Sequence, residues 1–452
     1  MTKKMRTQMT NRPLLVFAAA LAAGACSMEL EVPSLNNPSV GGEASRSSVV
    51  ATSQGLLGNV RAMSTGLVGN FGIWGRELYN LPPQEPRPIT DNLVGPRDPL
   101  SVGSGAGFNY GTLVEVRELL RAVDGLTGMT DPEKEAIRGW AKTVAAMAYA
   151  QTALVYPEFG APLRPPENPT GALEPVGTGD EIHAETIRLY DEAYAHLQNA
   201  GASFPFRLTE GYAGFNTPQT FTRVNRALKA RALKTRGDWA GVLTALQQSF
   251  MDPSADLALG AYNNYYAADN AFNPFFGQST QYVHPRILAD AQLKGNGDKD
   301  DRAVQKTIAA TSFTLAGITV TERQNIFAAN ISPFPLITNE ELILMRAEAR
   351  RATGDEAGAL EDVNLIRTRA GGLEPVAGLT GEALLTEILY NRLYSLLYLG
   401  GWAYWDAKQY NRLSQLPKAL PNHVIFDRVN WTSNECITRA MTSGPCGSVV
   451  GS

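Results

Sequence analysis

The chain runs to 452 residues, with 40 Lys and Arg against 44 Asp and Glu and a formal net charge of −4. That balance excludes the basic surface that nucleic-acid recognition needs, so no nucleic acid is expected as a partner. Length alone would allow two or three domains, yet no Ser/Gly/Pro linker or low-complexity block divides the chain, which predicts one large body.

The first residues predict export. Lys3, Lys4, Arg6 and Arg12 precede an apolar run over 14–25 that stops at Cys26. About a dozen apolar residues fall short of a bilayer core, which takes roughly 20. With Ala23, Gly24 and Ala25 just before the cysteine, residues 1–25 read as a lipoprotein signal peptide and Cys26 as the lipidated residue. An ordinary signal cut nearby, with Cys26 incidental, is the alternative. Two or more acyl chains, each buried methylene contributing about 0.8 kcal/mol, would hold the protein on a membrane stably. Removing the signal takes four basic residues and no acid, leaving 36 basic against 44 acidic, or net −8. Residues 26–48, polar with scattered Pro and Gly, read as a tether that lets the body, 49–452, stand off the lipid.

Little helical period marks 66–111, a first insertion in which Trp74 is either a platform or a plug. Within it Gly103-Ser-Gly105-Ala-Gly107 lacks the strand, helix and spacing of a phosphate loop and reads as turn. Helical spacing then takes over at 113–126 and 131–156, where Ile137, Trp140, Val144, Met147, Ala148, Gln151 and Leu154 recur every three or four residues. Tyr156-Pro157 cannot continue that helix, and 181–200 supplies a partner with Ile187, Tyr190, Ala193, Tyr194 and Leu197 on one face. A further hairpin follows at 219–249.

A second insertion, 250–335, is rich in Asn, Gly and aromatics, with Tyr262, Tyr265, Tyr266, Phe272, Phe275, Phe276 and Tyr282 close together. Aromatic rings can cover the C–H face of a sugar while polar side chains satisfy its hydroxyl rim. Tyr262, Tyr265, Tyr266 and Phe276 are therefore the aromatic candidates for ligand contact, against the alternative that such residues pack the insertion onto the scaffold. The acidic loop from Gly295 to Arg302 lacks the twelve-residue spacing and terminal Glu of a calcium loop. It reads as a solvated turn before a strand-like segment at 304–313, and no metal or cofactor is expected.

The last helical pairs, 339–369 and 381–410, contain the clearest repeat. Residues 229–243 read KARALKTRGDWAGVL and residues 346–360 read RAEARRATGDEAGAL, sharing the frame Gly-Asp-x-Ala-Gly-x-Leu. Gly237 and Gly354 are placed to end one helix in the left-handed conformation and Asp238 and Asp355 to cap the next, with Ala240 and Ala357 expected to let the helices approach closely. This is hairpin chemistry of the tetratricopeptide kind. The predicted fold is thus mostly α: about four tetratricopeptide-like hairpins forming a scaffold, broken by loop-rich insertions at about 66–111 and 250–335. In the tail, Cys436 and Cys446 predict a small disulfide loop, with two free thiols as the alternative.

The run PFPLITNEELILMRAEARRATGDEAGALEDVNLIRTRAGG, then LTGEALLTEILYNRLYSLLYLGGWAYWDAKQY, resembles the C-terminal half of SusD/RagB proteins, and CSMELEVPSLNNPSV is similar to that family's start. The resemblance covers nearly the whole chain and is strongest over about 120–160 and 220–410. It departs at Ser395 and Leu399, where the family usually carries Glu, and over the last forty residues. It implies an outer-membrane, surface-exposed lipoprotein that captures oligosaccharide or peptide for a TonB-dependent, SusC-like transporter. It further implies that the first insertion helps to form a glycan site, which makes Asp91, Arg97, Asn109 and Tyr110 candidates. Catalysis is not expected: His183, His196, His284 and His423 are scattered, and neither HExxH nor GxSxG occurs. The other readings are a helical-repeat scaffold for envelope assembly and a lipid-anchored glycosidase.

Overall fold

In the computed structural model, many of the helices begin at side-chain caps that the sequence supplies. The structure describes residues 44–167 and 171–452, so the signal, Cys26 and most of the tether lie outside the described residues. Helix α1 (Arg46–Gly66) begins inside the segment assigned to the tether, because Ser45 and Ser48 cap it reciprocally. A short α2 (Val68–Trp74) and the strand β1 (Leu78–Asn80) follow.

The scaffold starts with α3 (Tyr110–Gly125), α4 (Asp131–Val155) and α5 (Gly179–Gln198). A capping box opens α5: Thr178 Oγ1 accepts the Glu181 N–H at 3.2 Å and the Glu181 carboxylate accepts the Thr178 N–H at 2.7 Å. Helices α4 and α5 meet at Gly139, where a Cβ would stand 2.6 Å from Leu197 Cγ. Trp140 donates from Nε1 to the Ser53 carbonyl at 2.8 Å and so ties α4 to α1.

The two copies of the Gly-Asp frame join α6 (Pro218–Lys234) to α7 (Trp239–Gln247) and, later, α8 (Asn339–Ala352) to α9 (Glu356–Arg369). Gly237 has φ +71° and Gly354 φ +94°. Asp238 and Asp355 accept the N–H of Gly241 and Gly358, each at 2.9 Å. The close-approach role expected of Ala240 and Ala357 falls elsewhere. Both alanines are exposed, whereas the next residue, Gly358, is buried and Ala359 is fully buried. The Asp cap sets the helix phase, and in the second copy that phase turns Gly358 inward in place of Ala357, while Gly241 of the first copy is partly buried.

The second insertion lies between α7 and α8 in sequence and contributes β2 (Gly260–Asn263), β3 (Gln281–Val283), a hairpin of β4 (Thr307–Leu315) with β5 (Ile318–Gln324), and β6 (Phe334–Thr338). β2 pairs antiparallel with β6, and β3 pairs antiparallel with β1, with Leu78 opposite Val283, so the two insertions are stitched to one another. Two last helices, α10 (Gly381–Ser395) and α11 (Trp402–Gln409), complete the fourth pair. Helix α8 packs on α7 although the whole of 248–338 separates them.

Four charged side chains bind these helices internally. Lys234 of α6 and Arg392 of α10 face Glu348 of α8 and Asp406 of α11, with Lys234 Nζ 2.5 Å and Arg392 Nε 2.7 Å from the Asp406 carboxylate. All four are at most 4% exposed. Burial pushes the Asp406 carboxyl up, but Arg392 and Lys234 more than reverse this and hold it below the usual range. Two cations and two carboxylates close the group without net charge, which burial requires. In the tail, Cys436 and Cys446 are joined, with their Cα atoms 5.7 Å apart. Among the described residues no helix is long and apolar enough to cross a membrane.

Candidate ligand-binding site

The candidates of the first insertion are held by the fold itself. Arg97 is fully buried and engaged: Nη1 donates to the Asp91 carbonyl and Asn92 Oδ1, Nη2 to the Val102 carbonyl, and the guanidinium lies 4.9 Å from the Trp74 ring. It is an internal strut, which corrects its assignment to a ligand surface. Trp74 is a plug: it is 2% exposed and donates to Asn92 Oδ1 at 3.0 Å. Asp91 is partly exposed, with Oδ2 accepting the Val102 N–H at 2.9 Å. Asn109 donates to the Gly107 carbonyl and to Gln151 Oε1, and the Tyr110 hydroxyl donates to the Pro162 carbonyl. Asp and Asn in such loops commonly satisfy nearby backbone, and here they do.

The aromatic segment divides between core and surface. Tyr265 is only 7% exposed and packs in the hydrophobic core, so it does not stand on the loop surface with the other candidates. Phe275 packs on Phe327 and Phe334, and Tyr282 stacks on Phe313. Tyr262 and Tyr266 are half-buried, their hydroxyls donating to the Ala258 carbonyl and to Glu210. Phe272 and Phe276 face solvent at 43% and 41% exposure. Asn273 holds their loop by hydrogen bonds to the Asn330 and Ser332 carbonyls, and Ile331, also exposed, lies between those two residues. Among the described residues, no hydrogen bond or ring contact joins Asp91, Arg97, Asn109 or Tyr110 to Tyr262, Tyr265, Tyr266 or Phe276.

The site that sequence reasoning missed is a two-chambered groove between scaffold and insertions. Its first chamber, about 740 Å³ with its open mouth, is walled by Met63 and Leu67 beside α1, Met147, Ala150 and Leu154 of α4, Leu228 of α6, Phe334 and Leu336 of β6, and Leu399. Polar wall residues have partners already. Ser64 accepts from Asn263, Gln151 accepts from Asn109, Thr235 donates to the Ala232 carbonyl, and Arg231 makes a two-pronged pair with Glu341 at 2.6 Å. Tyr190 alone presents a phenol for which no hydrogen bond is found among the described residues. The second chamber, about 660 Å³ with its open mouth, shares Leu154, Thr235 and Trp402 with the first and adds Glu158, Lys234, Arg236, Trp405, Lys408 and Gln409. No element contributes more than a few of these residues, so no local motif announces the groove.

The rim of the groove is clasped by one buried carboxylate. Glu77, 1% exposed, accepts the N–H of Tyr398 at 3.0 Å and of Ala403 at 3.1 Å, at the two ends of the turn that carries Leu399, Gly400 and Trp402. That turn runs through positive φ at Tyr398, Gly400 and Gly401. Burial pushes the Glu77 carboxyl up to about 7 against the opposing pull of the two N–H groups and Arg286; Asp406 adds a further upward push. The departures at Ser395 and Leu399 acquire a context here. Ser395 accepts from Arg302 at 3.0 Å, Leu399 lines the groove, and Glu77 supplies a carboxylate to the turn from across the fold.

The loop at 295–302 is solvated over 295–298, as a turn, and tied inward at its end. Asp300, fully buried, caps Arg302 N and pairs with its guanidinium at 2.6 Å, and Asp301 pairs with Lys294. Among the described residues, no group of three or more His, Cys, Asp or Glu converges on one point.

This arrangement of hairpins and stitched insertions is the SusD-like fold. A SusD superfamily protein from Bacteroides vulgatus aligns over 82% of this chain and 90% of its own at TM-score 0.61 and 15% identity. NanU of B. fragilis covers 89% of this chain and 96% of its own at TM-score 0.63 and 11% identity. A laminarin-binding SusD-like protein covers 90% and 100% at TM-score 0.63 and 13% identity. No protein-family model and no curated protein matches the sequence.

Proposed function

We propose that the protein is a surface-exposed outer-membrane lipoprotein, anchored through Cys26, that captures oligosaccharide or peptide and delivers it to a TonB-dependent, SusC-like transporter. The observation that carries this reading is the extent of the likeness: the fold matches SusD-like proteins over 80 to 90% of the chain, one of them laminarin-binding. The exposed Phe272 and Phe276, with the half-buried Tyr262 and Tyr266 in the same insertion, support a glycan platform on the loops. Binding without bond cleavage is the reading that needs no catalytic group.

The test is purification from the native membrane in mild detergent, followed by identification of what accompanies the protein. A TonB-dependent barrel at near one-to-one ratio would support capture and delivery, and would make a screen of glycans and peptides the next step. Recovery of envelope-assembly proteins without a barrel would overturn it in favour of the scaffold reading.

A further inference from the structure

The two chambers of the groove differ in chemistry, and the difference selects a ligand. A sugar ring in the first chamber would leave most of its hydroxyls facing Met63, Leu67, Met147, Leu228 and Leu336, with the Tyr190 phenol to serve one of them, while Ser64, Gln151 and Arg231 are held by Asn263, Asn109 and Glu341. Each hydroxyl buried without a partner costs about 1–3 kcal/mol. An aliphatic chain loses nothing there and gains roughly 0.8 kcal/mol per buried methylene. Methionine at two wall positions suits a flexible apolar guest.

The second chamber has the opposite character. Lys234, Arg236 and Lys408 line it against the single carboxylate of Glu158. Lys408 pairs with Glu158 at 2.8 Å and Lys234 is committed to Asp406, but among the described residues the one carboxylate beside Arg236 is Asp180 at 3.7 Å, itself 92% exposed, and Arg236 Nη2 makes a long hydrogen bond to the Ala153 carbonyl at 3.5 Å. Arg236 is thus a weakly paired cation in a chamber that shares the walls of Leu154, Thr235 and Trp402 with the apolar one. We propose that the groove binds an amphiphilic carboxylate, its aliphatic tail in the Met/Leu chamber and its anionic head beside Arg236, as a ligand distinct from any glycan held by the loops.

Decanoate is the probe, titrated into the intact protein while the intrinsic tryptophan fluorescence, to which Trp402 and Trp405 contribute, is followed, with decanol and maltohexaose as controls. Saturable binding of decanoate, weakened at least about tenfold by Ala150→Phe, which fills the first chamber, is the expected result. Arg236→Glu is expected to abolish the preference for decanoate over decanol while leaving decanol binding in place. Ala150 is partly exposed and Arg236 sits at the chamber's edge, so thermal melts of both variants are expected to match the parent. No saturable response to decanoate, a response indifferent to Ala150→Phe, or displacement of decanoate by maltohexaose would overturn the proposal. None of these outcomes bears on whether a transporter co-purifies, so the two readings fail independently.

Discussion

Replacing Glu77 by Gln tests the clasp on the groove's rim, and its consequence has a definite sign. In the fold the Glu77 carboxyl titrates near 7, against 4.5 for the unperturbed group, because burial disfavours its charge. Between those values the folded protein holds a proton that the unfolded chain releases, so this group's contribution to stability is greatest below about pH 4.5. It is lost as pH rises through 7. The full swing, two and a half pH units at 1.36 kcal/mol each, is roughly 3 kcal/mol. Gln cannot titrate, and its NH₂ would face the N–H of either Tyr398 or Ala403, a pH-independent cost of about 1–3 kcal/mol. The assay is urea unfolding of parent and Glu77→Gln at half-unit steps from pH 4.5 to 8. Subtracting the two curves removes His183, His284 and every other group they share. The parent's advantage is expected to shrink by roughly 3 kcal/mol across that range. A difference that stays flat would refute the reasoning, since it would mean that Glu77 is ionised throughout or protonated throughout.

Four other outcomes are expected. Asp406→Asn leaves Lys234 and Arg392 facing Glu348 alone and should cost about 3–5 kcal/mol in denaturant unfolding. Asp355→Ala removes the acceptor of the Gly358 N–H and should lower stability by about 1 kcal/mol, read as a lower urea midpoint at unchanged slope. Phe276→Ala, alone and with Phe272→Ala, should weaken retention on immobilised glycan while changing the melting temperature little, because both rings are exposed and lie outside the buried core. Cys436→Ser opens a short loop and should cost about 2–3 kcal/mol at most, with limited proteolysis showing the loss confined to the tail.

Helical pairs were legible because their signals are local. The Gly-Asp frame fixes a left-handed turn and a cap within five residues, and the stripe on α4 repeats within a single element. Helix α1 was not, because the Ser- and Gly-rich stretch that begins it reads equally as tether; its order comes from contacts such as the Trp140 bond to Ser53, which sequence does not display. Arg97 was misplaced for a related reason. A polar residue in a loop is ordinarily solvated, and only the fold reveals the aromatic box of Trp74 and Phe426 around it. The groove and the buried charge group stayed hidden because Met63, Leu228 and Leu399, or Lys234, Glu348 and Asp406, are unremarkable helix and turn residues until distant segments meet.

The stacking of α8 on α7 across 248–338 also bears on how the chain reaches its fold. A consecutive helical array can zip up from any repeat to its neighbour, each step closing a short loop. Here the α6–α7 and α8–α9 hairpins can meet only after a long, irregular segment has been drawn together, and the β1–β3 pairing closes a longer loop still. Such closures slow folding and leave apolar helix faces waiting for partners that appear late in synthesis. For an exported chain, those faces would stay uncovered until its second half had crossed the membrane, so the interval before α8 arrives is the one in which a holding chaperone would matter most.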